Sequence, residues 1–203
     1  MITLYHASPT RAHLVRFLLA ELGLPHELKR LDLMKGEHKS PAYMQVNPMG
    51  QLPALMLDDG RVICECGAIC LHLADQVPEK KLAPPVDSPD RAKYYHWVFF
   101  AIGTQLFALG KIAMHGMFLP PELRRPQIEE DGRNTWPQVA QVLSNELEGK
   151  PYLLGQNFSA ADVMVGGSLW LANTIGVLKG HPVLERYYDR IKERPAFQKG
   201  FAD

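Results

Sequence analysis

The sequence predicts an α/β domain followed by an all-helical domain, and three observations lead to this fold class. Strand and helix patterns alternate up to Val77, a segment rich in proline and charge follows, and beyond it no strand pattern appears. We therefore expect a first domain at residues 1–78, a linker at 79–88 and a helical domain at 89–203.

The first domain combines short strands with two amphipathic helices. The patterns predict strands at 2–5, 26–33, 53–57 and 61–64, helices at 10–22 and 65–77, and a polar helix or loop near 40–46. A strand–helix–strand crossover followed by a hairpin around Asp58-Asp59-Gly60 predicts a mixed sheet.

The second domain shows helical periodicity interrupted by helix breakers. Helices are expected from 89 to about 118, from 126 to 147, onward from 159, and near 183–193 and 196–200. Pro120-Pro121 should end the first of these helices. Ser159 and Asp162 have the spacing of a capping box at the start of the third.

Composition and charge exclude several classes of function. The chain is 46% hydrophobic, and its 22 Lys and Arg balance its 22 Asp and Glu, so no global field favours nucleic acid or an anionic membrane. The first residues lack the basic and apolar regions of a signal peptide, and no uninterrupted apolar stretch approaches membrane-spanning length. We therefore expect a cytoplasmic protein without nucleic-acid or membrane partners.

The three cysteines, Cys64, Cys66 and Cys70, lie close together in the sequence. An odd number without a secretion signal predicts reduced thiols rather than a disulfide framework. The C-x-C-x₃-C spacing supplies too few ligands for a metal ion, so we expect no metal site.

The first candidate for binding chemistry is N-P-M-G-Q-L-P-A-L, residues 47–55. Pro53 opens a strand, and a turn into the strand, often with a cis bond, explains a proline at this position. Such a turn leaves the backbone N–H and C=O of Leu52 free to pair with a peptide-like ligand. The alternative is a proline that only initiates the strand.

The second candidate is the strand-to-helix junction C-E-C-G-A-I, residues 64–69. The helix N-terminus favours a ligand carboxylate, and Glu65 can pair with a ligand ammonium, so together they would hold an α-amino acid group. The alternative is that Glu65 is only a first-turn acid suited to the helix dipole.

These motifs resemble the glutathione-binding domain of cytosolic glutathione S-transferases with a bacterial-type Ser/Thr loop. The opening L-Y-H-A-S-P-T-R-A and the segment G-Q-N-F-S-A-A-D at 155–162 match the family as well. The resemblance implies a thioredoxin-like first domain with a cis-proline at Pro53, a helical-bundle second domain, a homodimer, and glutathione as co-substrate with no metal.

The resemblance also implies the residues that bind glutathione: His38, Lys39, Gln51, Leu52, Pro53, Glu65 and Cys66. The main chain of Leu52 would pair with the cysteinyl part, and Glu65 and Cys66 would hold the γ-glutamyl end. His38, Lys39 and Gln51 would lie near the glycyl carboxylate. His38 and Lys39 also fit the pattern of solvated side chains.

The resemblance implies that the residue that activates the thiol lies in the loop after the first strand. The glutathione thiol is mostly protonated at neutral pH, and a hydroxyl donor or the N-terminus of the first helix can stabilise the thiolate. The loop offers Ser8 and Thr10, with Arg11 next. When the loop is aligned with that of family members by the first helix, Thr10 is favoured, and when it is aligned by the end of the strand, Ser8 is favoured. Either hydroxyl could instead cap the helix.

Cys66 departs from the family, which usually has serine there. A thiol is a weaker hydrogen-bond partner than a hydroxyl, and a thiol at a helix N-terminus is a candidate for redox chemistry. Two interpretations stay open: a thiol that forms a mixed disulfide with glutathione, and a buried, inert thiol.

Three functions fit these observations. The leading one is a transferase that adds the glutathione thiolate to a small hydrophobic electrophile in detoxification, with an aromatic-rich helix after residue 89 offering apolar surface. The second is a glutathione-dependent disulfide reductase or peroxidase. The third is a non-catalytic protein-interaction module with the same fold.

Overall fold

The computed structural model describes residues 1–202, which divide into two compact units. The first unit comprises Met1–Ala83 together with the C-terminal segment from Pro195, and the second comprises Pro84–Arg194. The sequence assigned that C-terminal segment to the helical domain, whereas its helix packs within the first unit.

A four-stranded mixed sheet forms the centre of the first unit, in the order β2-β1-β3-β4. The strands are β1 (Ile2–His6), β2 (His26–Arg30), β3 (Ala54–Met56) and β4 (Val62–Cys64). β1 pairs in parallel with β2 and antiparallel with β3, which pairs antiparallel with β4. The crossover and the hairpin thus give the mixed sheet that the sequence predicts.

β2 is shorter than predicted because the chain turns at Asp32. The Asp32 Oδ1 atom accepts hydrogen bonds from the N–H groups of Met34 at 2.9 Å and Lys35 at 3.2 Å. The Glu37 carboxylate accepts one from the Asp32 N–H at 2.8 Å. These side-chain bonds satisfy the backbone in place of a sheet partner, so the strand ends there.

The other elements of this unit are α1 (Ala12–Leu22), α2 (Pro41–Met44), α3 (Cys66–Gln76) and the C-terminal helix, which is α9 (Pro195–Phe201). α1 ends at Gly23, whose φ of 69° suits a left-handed C-cap. α9 packs on α1: the Phe197 ring meets Phe17 edge-on at 5.4 Å and stacks on Phe201 at 4.2 Å.

The second unit is helical, as predicted. Its helices are α4 (Asp90–Phe100), α5 (Leu106–Ala113), α6 (Pro126–Leu147), α7 (Ala160–Thr174) and α8 (Pro182–Lys192). α4 and α5 belong to one continuous helix, in which Ala101–Gln105 and Met114–Phe118 are π-helical turns. The wider turns do not interrupt the helix that the sequence predicts from Pro89 to Phe118.

The capping box at the start of α7 is present and is part of a larger network. Asp162 accepts hydrogen bonds from the N–H and hydroxyl of Ser159, from the Leu153 N–H and from the Tyr187 hydroxyl. Asp162 is fully buried, and this burial raises its pKa to about 6 despite the four donors.

The continuous helix from Asp90 to Phe118 is 29 residues long and contains an 18-residue window of mean hydropathy 1.5. By length and composition alone it could cross a membrane, which the sequence had not predicted. Half of this window is buried, and Tyr94, Val98 and Leu109 are completely inaccessible. The core helix of a water-soluble bundle has the same length and composition, so this feature alone does not indicate a membrane span.

Candidate functional site

A surface cavity of the first unit brings together three segments that are distant in sequence. It is lined by Arg11, Asn47, Gln51, Leu52, Pro53, Glu65 and Cys66. The sequence predicted six of these seven as site residues and missed Asn47. The predicted residues Ser8, Thr10, His38 and Lys39 lie outside the cavity lining.

The turn before β3 presents a backbone edge to this cavity. The Leu52–Pro53 peptide bond is cis, Pro53 is buried and Leu52 is half-buried. Within the described residues, no backbone hydrogen bond outside the helices and strands engages the N–H or C=O of Leu52. The edge is therefore available to an extended peptide-like ligand, as the sequence suggested.

Buried polar side chains fix the turn in place. The Gln51 carbonyl accepts hydrogen bonds from the Tyr43 hydroxyl at 2.6 Å and from the Asn47 amide at 2.8 Å. The Asn47 Oδ1 atom in turn accepts from the Met49 N–H at 3.1 Å. Asn47 is thus both a cavity residue and the main support of the turn, and its place in an N-P-x-G turn motif was the available signal.

His38 and Lys39 support the same turn from outside the cavity. Gly50 has a φ of 58°, and a Cβ there would lie 2.7 Å from the carbonyl oxygen of His38. The Lys39 ammonium donates to the Met49 carbonyl at 2.9 Å. His38 Nδ1 is buried and has no hydrogen-bond partner among residues 1–202.

Glu65 occupies an unusual backbone conformation at the start of α3. Its φ of 71° and ψ of 116° lie in a region that non-glycine residues rarely adopt. Its carbonyl accepts the N–H of Ile69, so the strained residue also opens the helix. The exposed carboxylate and the first N–H groups of α3, which have no partners within the helix, therefore meet at the cavity.

Cys66, the first residue of α3, is only 5% exposed although it lines the cavity. Its thiol donates to the Arg11 carbonyl at 3.5 Å, which ties the start of α3 to the loop before α1. A hydrogen bond to Cys66, together with complete burial, raises the pKa of Cys70 well above its usual value. Burial also raises the pKa of Cys64.

The loop after β1 distinguishes the two candidate hydroxyls. Thr10 donates its hydroxyl proton to the Ala7 carbonyl at 2.5 Å and accepts the Ala12 N–H at 3.2 Å. Ser8 is half-buried, and its Oγ lies 3.1 Å from Nε2 of His13. Thr10 is therefore engaged in capping the start of α1, and Ser8 in a contact that the sequence did not predict.

In the described part of the chain, no group of three or more His, Cys, Asp or Glu side chains is arranged to hold a metal ion. The polar groups at the cavity are instead the Arg11 guanidinium, the Glu65 carboxylate and the side-chain amides of Asn47 and Gln51, together with free backbone edges. This set complements a zwitterionic peptide that carries both ammonium and carboxylate groups.

Comparisons with known families agree with this fold. Residues 1–75 match the family model described as glutathione S-transferase, N-terminal domain, and residues 126–190 match that for the C-terminal domain. The chain belongs to the glutathione S-transferase family, with the thioredoxin-like first domain and helical second domain that the sequence predicted.

The names of individual relatives differ in the activity that they give. The glutathione S-transferase GstA of Escherichia coli O157:H7 is 34% identical over 186 residues, covering 89% of this chain and 87% of GstA. The disulfide-bond oxidoreductase YfcG of E. coli K12 is 28% identical over 208 residues, covering 97% and 92%. Among solved structures, glutathione transferase URE2P6 of Phanerochaete chrysosporium in complex with oxidized glutathione has a TM-score of 0.88, with 27% identity and coverage of 98% and 94%.

Proposed function

We propose that this protein is a glutathione transferase that adds the glutathione thiolate to a small hydrophobic electrophile. The observation that carries the proposal is the cavity at which the free backbone edge of Leu52, the N-terminus of α3 and the Glu65 carboxylate meet. Each of these groups complements a different part of the tripeptide.

Glutathione would bind across these groups in an extended conformation. The N–H and C=O of Leu52 pair with its cysteinyl residue, and the γ-glutamyl carboxylate faces the free N–H groups of α3. Glu65 pairs with the γ-glutamyl ammonium. Because Cys66 is a weak hydrogen-bond partner, the carboxylate depends mainly on backbone N–H groups in this protein.

Ser8 is the hydroxyl that we propose for stabilising the thiolate. The Thr10 proton is already donated to the Ala7 carbonyl, so Thr10 cannot donate to sulfur without losing that bond. Arg11 lines the cavity and supplies a positive charge that also favours the anionic sulfur. Each tenfold gain in ionised thiol requires about 1.4 kcal/mol of differential stabilisation.

Matched alanine and valine variants test this assignment. We expect Ser8→Ala to lower the thiolate fraction of bound glutathione at neutral pH about tenfold or more, since a hydrogen bond to a charged group contributes about 1.5–3 kcal/mol. Thr10→Val should leave turnover of an aryl halide nearly unchanged and cost about 1 kcal/mol of stability through loss of the cap. The measurements are thiolate absorbance, aryl halide turnover and urea unfolding; the reverse pattern would assign activation to Thr10.

A glutathione-dependent disulfide reductase is the second candidate, and the hydrogen-bonded pair Cys66 and Cys70 favours it. In that function Cys66 loses its thiol proton to solvent, and the resulting thiolate attacks a glutathione disulfide, which forms a mixed disulfide and releases one glutathione thiolate. Comparing turnover of an aryl halide with that of a small disulfide separates the two functions. Mass spectrometry after treatment with oxidised glutathione tests Cys66 directly: without an adduct on this residue, Cys66 is not a nucleophile that forms a mixed disulfide.

The remaining proposals concern the second substrate, assembly and location. Phe99 and Phe107 are 63% and 62% exposed on the helix of the second unit, which gives an apolar surface suited to a hydrophobic electrophile. We also propose a cytoplasmic homodimer that acts in detoxification, and light scattering of the purified protein tests the dimer.

Calorimetry with reduced glutathione tests the non-catalytic alternative, since a module without enzymatic function need not bind it.

A further inference from the structure

We propose that His13 is a positioning residue for thiol activation: its Nε2–H donates to Ser8 Oγ and directs the Ser8 proton toward the glutathione sulfur. This inference rests on the proposed function and identifies the group on which the activating hydroxyl depends. Neither the sequence motifs nor the family resemblance pointed to His13.

The contact has ordinary hydrogen-bond length, and the imidazole is its buried partner. His13 is the second residue of α1, its side chain is 3% exposed, and Nε2 lies 3.1 Å from Ser8 Oγ. The His13 N–H donates to the Thr10 carbonyl at 3.2 Å, which fixes the backbone at the start of the helix. The imidazole therefore lies beneath the loop, with the half-buried hydroxyl between it and the surface.

α9 holds the imidazole in this position. The Phe201 ring meets the His13 ring edge-on at 5.1 Å, and Phe201 also packs against Phe17. The Arg16 guanidinium donates to the Ala202 carbonyl at 2.6 Å, which fastens the end of α9 to α1. Because the ring is packed on this side, it cannot swing away from Ser8 without displacing the C-terminal helix.

The direction of the hydrogen bond decides whether Ser8 can stabilise a thiolate. A serine hydroxyl has one proton, and if Ser8 donated it to His13, none would remain for the sulfur. If His13 donates instead, the Ser8 proton is free, and the bond received at oxygen polarises the hydroxyl and strengthens its donation. A thiolate-stabilising Ser8 therefore requires His13 as donor.

Four variants of the full chain test this role: Ser8→Ala, His13→Gln, His13→Phe and the double variant S8A/H13F. Glutamine keeps an N–H donor at about the place of Nε2, whereas phenylalanine keeps the packing against Phe201 without a donor. We expect His13→Phe to reduce the thiolate fraction of bound glutathione about fivefold at neutral pH. His13→Gln should retain most of that fraction, and the double variant should be no worse than Ser8→Ala, since both act through one hydrogen bond.

Calorimetric affinity for S-methylglutathione serves as the control and should stay unchanged in His13→Gln and His13→Phe, because this ligand has no ionisable thiol. A purely structural role for His13 would lower this affinity together with the thiolate fraction and would not be rescued by glutamine, which would overturn the proposal. Equal thiolate fractions in wild type and His13→Phe, or additive losses in the double variant, would overturn it as well. Should His13→Phe fail to fold, His13→Asn, whose shorter amide cannot reach Ser8, takes its place.

The outcomes also separate this inference from the proposed function. No binding of glutathione to the wild-type protein refutes the proposed function itself. Binding with an unaffected thiolate fraction in Ser8→Ala removes Ser8 as donor and the role of His13 with it. A loss in Ser8→Ala alone, with His13→Phe unaffected, overturns only the inference about His13.

Discussion

Replacing Gly200 by alanine tests how tightly α9 is held against α1. Gly200 lies inside α9, and a Cβ there would be 2.6 Å from both Cα and N of Phe17. Carbon atoms in van der Waals contact are ordinarily about 3.5 Å or more apart. The atoms approached belong to the backbone of a buried helix and cannot rotate away, so α9 itself has to move by roughly 1 Å.

The expected cost follows from two opposing terms. Alanine gains about 1 kcal/mol over glycine in helix propensity. Overpacking against a rigid neighbour costs about 3 kcal/mol, at the upper end of the usual range, because moving α9 also disturbs the rings of Phe197 and Phe201. We therefore expect Gly200→Ala to lower the free energy of unfolding by about 2 kcal/mol.

Gly110→Ala is the matched control. Gly110 is also helical, in α5, but a Cβ there meets nothing within 4 Å, so only the propensity term applies. We expect this variant to be stabilised by about 0.5–1 kcal/mol. If the two glycine-to-alanine changes alter the free energy of unfolding in opposite directions, the loss in Gly200→Ala comes from the contact with Phe17 and not from the helix propensity of alanine.

Two probes locate the effect. All three tryptophans, Trp97, Trp136 and Trp170, belong to the second unit, so their fluorescence reports on that unit, whereas far-UV circular dichroism reports on both. When urea unfolding of Gly200→Ala is followed by both probes, the lower free energy of unfolding should appear in the circular dichroism. The backbone amides of α1 should also exchange faster with solvent in this variant. Equal stability of Gly200→Ala and Gly110→Ala would refute the close packing described for α9.

Three further predictions concern the site and the second unit. Glu65→Gln should weaken glutathione binding about five- to tenfold in calorimetry; with a glutathione analogue that lacks the α-amino group the two proteins should bind equally, and a persisting difference would contradict the ammonium contact. Gly50→Ala should cost about 2–4 kcal/mol in urea unfolding and weaken glutathione binding, because a positive φ adds to a clash with the His38 carbonyl; the control Gly36→Ala, with a φ of 70° but open space around its Cβ, should cost only about 1–2 kcal/mol and leave binding intact. Burial raises the pKa of Asp162 from 3.8 to about 6, so the folded protein binds this proton more tightly than the unfolded chain does. The resulting stabilisation of about 3 kcal/mol is fully present below about pH 4 and is lost as the pH rises through 6. Asp162→Asn should flatten that part of the profile of urea midpoint against pH, and equal slopes in both proteins would show that another group is responsible.

Features with a local cause were predictable from the sequence. The spacing of apolar residues predicted α1 and α6 closely, and Ser159 with Asp162 predicted the capping box, because periodicity and capping depend on neighbouring residues. The cis bond at Pro53 was predictable for the same reason, whereas Asn47 was missed although its hydrogen bond to Gln51 also arises within a few residues.

Features that depend on the exact geometry of a loop, which residue spacing does not specify, were not predictable. The sequence could not separate Ser8 from Thr10, because either hydroxyl suits the start of a helix. The structure separates them by their partners, the Ala7 carbonyl for Thr10 and the His13 imidazole for Ser8. His13 itself had no distinguishing signal, since a histidine on the buried face of a helix fits a core position equally well. The positive φ of Glu65 likewise depends on how β4 meets α3 in space.

The packing of α9 on α1 makes the first unit discontinuous along the chain, and this has a consequence for synthesis. As the protein emerges from the ribosome, the strands and helices up to Ala83 are complete long before the segment from Pro195 exists. The apolar side of Phe17 stays uncovered until α9 has emerged, after the whole second unit has been made. Packing around His13 and Phe17 is therefore completed only after the second unit has been synthesised, and a nascent chain stalled before α9 would carry a half-covered core.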